Sequence, residues 1–201
     1  MLQLTGEAVR QQLLQLQRDG WIEARVDRAP ERGRTGRPAT TYTLTAAGDH
    51  LFPKEYDTLN VAMLDAIGDE LGAEGLIRVL RRLTDDKVAE TEPALQGLTL
   101  EQKIAHLKSW YLRDDPYMDI EEADGDYRLV ERNCPVYNTA MQRPGLCSVS
   151  VNALSRILGV RVRREEKFQT GDNRCVFHIH SNEPVEASAE FELEDDASLR
   201  R

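Results

Sequence analysis

Apolar residues first recur with helical spacing just after Thr5, where Val9, Leu13 and Leu16 fall on one face and Gly20 closes the run. Thr5 suits the N-cap, with Glu7 and Ala8 in the first turn. The opposite face presents Ala8, Arg10, Gln11, Gln15 and Arg18. The period then changes: residues 21–26 and 41–44 read as two short strands around a tip containing Pro30, Gly33, Gly36 and Pro38.

From Glu55 to Trp110 the helical period returns. Leu59, Met63, Leu64, Ile67 and Leu71 mark one face; Leu76, Ile77, Val79, Leu80 and Leu83 a second; Leu98, Ile104, Leu107 and Trp110 a third. Breaks at residues 72–75 and 93–97 give three helices, a connector whose leftover apolar surface suits a dimer seam. Beyond it, strands at 117–120 and 127–130 flank "EEADGD", whose Asp-Gly step signals a hairpin. Two short helices, 136–142 and 148–158, precede a strand from about Val160, a turn at residues 170–173 and a last strand starting at Cys175. The fold class is α+β, with domains at 1–54, 55–113 and 114–181 and a tail at 182–201.

Charge sharpens this division. The 201 residues carry a formal net charge of -9, which argues against nucleic acid binding over the whole surface. Yet residues 25–37 hold arginines at 25, 28, 32, 34 and 37 against Asp27 and Glu31 alone. The acidic tail, "NEPVEASAEFELEDDASLRR", has little apolar periodicity and reads as disordered. No segment approaches the apolar run that a membrane span needs, and the start lacks the basic flank and apolar block of a signal peptide, so a cytoplasmic protein is expected.

A helix followed by a basic-tipped hairpin is the layout of a winged helix, in which the helix enters the major groove and the tip follows the phosphates. Only "MLQL" precedes the helix here, so the expectation is an N-terminally short winged helix-turn-helix. The string Gly36-Arg37-Pro38, Tyr42, Leu44-Thr45, Gly48, Leu51-Phe52-Pro53 and Tyr56 resembles the wing and following segment of SufR-type iron-sulfur-sensing regulators, within the ArsR- and DeoR-like winged helices. By that resemblance Ala8, Arg10 and Gln11 lie at the groove of double-stranded DNA, Arg34 and Arg37 lie on the wing, and the protein is a homodimer.

The chain has three cysteines, Cys134, Cys147 and Cys175, each at a predicted element boundary. In a reducing cytosol such thiols serve as metal ligands, redox groups or small core residues. Their spacing contains neither a CxxC pair nor a ferredoxin run. Their context, "NCP" at 133–135, twelve residues between Cys134 and Cys147, and "GDNRCVFHI", resembles the cluster-binding domain of the same regulators. The resemblance implies an iron-sulfur cluster, of 4Fe-4S type, on these three thiolates. The family's fuller pattern has a further cysteine where this chain has Arg161. His178 and His180 are close in sequence, but strand alternation sets them on the face opposite Cys175.

The resulting expectation is a non-enzymatic transcriptional repressor whose operator binding depends on the cluster and which controls cluster-assembly genes. Two other readings stay open: a winged-helix regulator with structural zinc, and a cytosolic thiol-based redox protein or enzyme. Against an enzyme, the sequence carries no phosphate loop, nucleotide fingerprint, HExxH or GxSxG.

Overall fold

The computed structural model describes residues 5–26 and 39–194 and divides the chain into two compact units, Met1–Glu55 and Tyr56–Arg201. In the first, α1 (Gly6–Arg18) begins at Thr5, whose hydroxyl accepts the Ala8 N–H at 3.2 Å. Glu7 in the first turn and Arg18 in the last complement the helix dipole. Strands β1 (Ile22–Val26) and β2 (Thr40–Leu44) pair antiparallel, Ile22 with Leu44 and Val26 with Thr40. A short α2 (Ala46–His50) follows; its Gly48 lies so close to the Trp21 carbonyl that a Cβ there would collide with it. Helix and strands fall where the periodicity places them. The tip bearing Arg34 and Arg37 lies outside the described residues.

No side chain of α1 is buried, and Val9, Leu16, Leu44, Leu51 and Phe52 stay exposed. Among the described residues, the apolar stripe of α1 therefore has little of its own unit to pack against.

The second unit opens with α3 (Tyr56–Leu95), interrupted at Gly72 (φ 69°, ψ -179°). This left-handed φ suits glycine, and it divides the element into two helical segments at the predicted break. Helix α4 (Leu100–Asp114) starts with a capping box: Gln102 N–H bonds the Thr99 hydroxyl, and the Gln102 side chain accepts the Thr99 N–H. Four antiparallel strands follow, β3 (Asp119–Ala123), β4 (Asp126–Glu131), β5 (Val160–Glu166) and β6 (Cys175–Pro184), in the order β3-β4-β6-β5. Asp124 and Gly125, with φ of 55° and 83°, form the tight turn between β3 and β4.

Between β4 and β5 lie α5 (Tyr137–Gln142) and α6 (Cys147–Leu158). Helix α6 is buried on several sides, with Ser148, Asn152 and Ser155 buried beside Val149, Ala153, Leu154, Ile157 and Leu158. Leu154 and Leu158 pack with Leu129, Val162 and Phe177 of the sheet. Ala153 and Ile157 meet Val88 and Leu95 of α3, and Val149 meets Leu80. These contacts merge the expected connector and the small α+β domain into one unit.

The tail requires a second correction. Residues 182–184 complete β6, and residues 185–194 pack back onto α6 instead of being disordered: Phe191 is buried beside Leu80 and Val149. Asn152 holds this segment from both sides, accepting the Glu192 N–H at 3.0 Å and donating to the Glu192 carbonyl at 2.7 Å. One buried phenylalanine and one backbone clamp outweigh the acidic composition. Residues 195–201 lie outside the described residues.

Asp115, 2% exposed, closes the unit at the end of α4. Its carboxylate accepts the N–H groups of Tyr117, Arg132 and Asn133 at 2.9, 2.8 and 3.0 Å, tying the start of the hairpin to its exit. Asp115→Ala strands these donors and is expected to cost about 3 kcal/mol or more of stability, with Asp115→Asn costing less; urea denaturation midpoints of the two variants check this.

Candidate functional site

The structure brings the three cysteines to the wall of one cavity of about 370 Å³. Each arrives on a different element. Cys134 lies three residues past β4, on the turn that Asp115 holds. Cys147 is the first residue of α6, placed by the 3-10 turn Pro144–Leu146. Cys175 opens β6, directly across from Glu131 of β4. Cys175 is buried and the other two half-buried.

The protein surrounds the sulfurs with donors. Gln169 Nε2 lies 3.3 Å from Cys147 Sγ, and Arg164 Nη1 lies 3.9 Å from Cys175 Sγ. The Arg164 side chain is only 4% exposed and is held by Glu194, with Nε to Oε1 at 3.0 Å and an ion pair at 2.6 Å. Thus the folded tail supplies the carboxylate that keeps a guanidinium beside the thiols. Burial works against the charge on Arg164, but the Glu194 hydrogen bond, together with the coulombic pull of Cys147, Glu194 and Cys175, outweighs it and keeps the guanidinium protonated.

Burial works the other way on the thiols. Desolvation pushes Cys134 up to about 11, with Glu131 adding to the shift, and it raises Cys147 and Cys175 as well. Arg164 and Gln169 offset part of the rise at Cys147. Glu131, 8% exposed and beside the charge of Asp115, is pushed up to about 7, chiefly by desolvation. An activated thiol nucleophile needs its pKa lowered, whereas burial here favours the protonated thiols, and any metal they took would have to displace those protons.

The three thiols are soft donors of the kind that both iron-sulfur clusters and zinc take. Tetrahedral Zn–S bonds of about 2.3 Å put thiolates about 3.8 Å apart. Among the described residues, the three sulfurs do not all lie within 4.8 Å of one another. A polynuclear cluster spreads its thiolates more widely, and Glu131 is a carboxylate on the wall of the same cavity. Arg161, at the position where the resembled family has a cysteine, does not reach this cavity; it pairs with Glu192 at 3.1 Å and faces His180 in the sheet.

A second cluster of side chains occupies the other face of the sheet. His178 Nε2 lies 3.0 Å from Asp126 Oδ2, and His178 Nδ1 lies 2.7 Å from Glu165 Oε1. The His180 ring stands 4.0 Å from that of His178. As alternation requires, both histidines lie away from the cysteine cavity. Sequence reading missed Arg164, Glu131 and Asp126. The period-two run Val160, Val162, Arg164 was a signal that Arg164 points inward, and Leu129 two residues before Glu131 said the same of that carboxylate.

In the first unit, Arg10 and Gln11 are exposed on α1 and Ala8 is half-buried; Gln11 donates to Glu7 at 2.9 Å. Arg34 and Arg37 fall outside the described residues.

In the metal-free chain, alkylation of Cys134 by iodoacetamide should be much slower than that of a free thiol at pH 8 and keep rising toward pH 11; mass-spectrometric rates measured before and after unfolding check this, and a plateau below pH 9 would contradict it. No protein-family model matches the chain, and no match is found among curated proteins.

Proposed function

We propose that the protein is a DNA-binding transcriptional regulator, a repressor, whose operator affinity depends on an iron-sulfur cluster held by Cys134, Cys147 and Cys175. The observation that carries this reading is the convergence of three thiols from three elements on one cavity, with Arg164 and Gln169 donating to sulfur. Such a cluster supplies a labile, redox-sensitive cross-link between its thiolates. Arg164 offsets the negative charge that thiolates bring, and Gln169 orients Cys147. Glu131 is the oxygen donor available beside the three sulfurs.

The route from cavity to DNA runs through residues 135–146, the segment between the first two cysteines. Asn138 and Thr139 bond Asp57 at 2.9 and 3.2 Å, and Arg143 grips Asp65 with two contacts of 2.6 Å. Asp57 and Asp65 both lie on α3 before the Gly72 break. This first stretch of α3 is the direct continuation of the chain out of Met1–Glu55. When Cys134 and Cys147 share a cluster, the segment between them is pinned and holds Asp57 and Asp65. When they do not, the segment loosens and the first stretch of α3 is free to turn about Gly72. A coupling of about 1–3 kcal/mol changes DNA occupancy several-fold to a hundredfold.

The exposed Tyr56, Leu59 and Met63 on the same stretch of α3 supply an apolar seam for a homodimer, matching a two-fold operator. Arg10 and Gln11, on the open face of α1, read base edges, and the wing arginines, Arg34 and Arg37, neutralise phosphates. Cluster-assembly genes are the expected targets. The lack of spacing suited to a single zinc ion and the raised thiol pKa values favour this reading over structural zinc or a thiol enzyme.

Two tests follow from this route, both with duplexes selected from a random double-stranded library by the anaerobically purified protein. Arg143→Ala should keep its iron yet bind DNA with an affinity that no longer depends on the cluster; a dependence equal to the wild type's would break the proposed route. Replacing Arg34 and Arg37 with alanine should lower the salt dependence of binding by about two phosphate contacts, and an unaltered slope would remove the wing from the interface.

A further inference from the structure

On the sheet face turned away from the cysteines, we propose a separate binding site for one divalent transition-metal ion of the zinc class, formed by His178, His180 and Asp126. Their ligand atoms lie within 4.8 Å of one another. The three residues sit on adjacent strands: Tyr127 pairs with Ile179, so Asp126 of β4 faces His180 of β6, and His178 is two residues back on the same face. All three are half-buried, with side-chain exposures between 17% and 25%.

Distances fit an ion. Zinc bonds to nitrogen and oxygen of about 2.0–2.1 Å place tetrahedral donors about 3.3 Å apart. The separations from Asp126 Oδ2 to His178 Nε2 and to His180 Nδ1 are 3.0 and 3.6 Å, on either side of that value. Only a small closure of His180 is required.

The surrounding groups prepare the ligands. Glu165 bonds His178 Nδ1 at 2.7 Å, which fixes the ring and leaves Nε2 as the lone-pair donor, the carboxylate–histidine pairing that supports metal ligands. Arg128 holds Glu165 at 3.1 Å, and Arg163 holds Glu183 at 3.2 Å. With those two carboxylates matched by arginines, Asp126 turns to the two imidazoles and to the Ser181 N–H at 2.8 Å. The Ser181 bond leads the interactions that hold Asp126 below its ordinary carboxylate range. Two neutral imidazoles and one carboxylate give a net charge of -1 for a divalent cation, and three protein ligands leave a position for water or a fourth donor, as in open zinc sites.

The site is independent of the cysteine cavity, so its test must separate sulfur from nitrogen and oxygen ligation. Cobalt(II) is added to the full-length, anaerobically purified protein. The expected result is one equivalent bound with the weak visible bands of nitrogen and oxygen ligation, without an intense thiolate-to-cobalt band in the near ultraviolet, and displaced by zinc. His178→Ala with His180→Ala should abolish that signal, Asp126→Asn should weaken binding at least tenfold, and Cys147→Ser should leave it unchanged. A second readout needs no variant: zinc should protect His178 and His180 from diethyl pyrocarbonate, followed by mass spectrometry, while His50 and His106 react as before. Cobalt binding that survives loss of both histidines, cobalt carried only with a thiolate band, or the same histidine reactivity with and without zinc would overturn the site.

Discussion

Burial of α6 is the constraint on which the second unit depends. One face of this helix packs on the inner side of the four-stranded sheet, another on α3, and a third on the folded-back segment around Phe191. Each contact closes a different part of the chain against the same twelve residues. The helix begins at Cys147, so the element that organises the core also fixes one wall of the cysteine cavity. Glu194 and Arg164 extend the same logic: the segment anchored on α6 by Phe191 and Asn152 delivers the carboxylate that holds a guanidinium beside the thiols. Folding and site formation are thereby linked.

Burial makes the three sulfurs costly to ionise. Desolvation raises all three thiols, while Arg164 and Gln169 stand ready to donate to thiolate. A metal or cluster binding here must release protons, and its hold weakens as pH falls. Across the sheet the chemistry is of a different kind. Imidazole and carboxylate replace sulfur: β4, β5 and β6 turn Glu131, Arg164 and Cys175 to one face and Asp126, Glu165, His178 and His180 to the other through the two-residue alternation of a pleated sheet.

Much of this was legible in the sequence. The Thr5 cap, the break at Gly72, the Asp124–Gly125 turn and the positions of α5, α6 and the hairpins follow from local periodicity and turn chemistry. The placement of each cysteine at an element boundary was readable for the same reason. What escaped reading depends on contacts distant in the chain. The acidic stretch after residue 181 looks disordered by composition, but Phe191 finds a pocket made by Leu80 and Val149, more than a hundred and about forty residues earlier. Arg161 stands where the resembled family has a further cysteine, yet strand alternation turns it outward and brings Arg164 inward. The joining of the helical connector to the α+β domain likewise follows from α3 packing on α6, which no local pattern reports. The partners of Asp126 could not be read from one strand, because the group forms only when β4 and β6 pair.

The claim most open to direct test is that Cys134, Cys147 and Cys175 together hold an iron-sulfur cluster. The measurement is the visible absorption spectrum of the anaerobically purified chain, with iron and acid-labile sulfide assayed on the same sample, beside Cys147→Ser. The account predicts a brown protein with iron and sulfide in near-equal amounts, and a colourless but folded variant. A colourless wild-type protein, or a variant with the same iron and sulfide as the wild type, would contradict it.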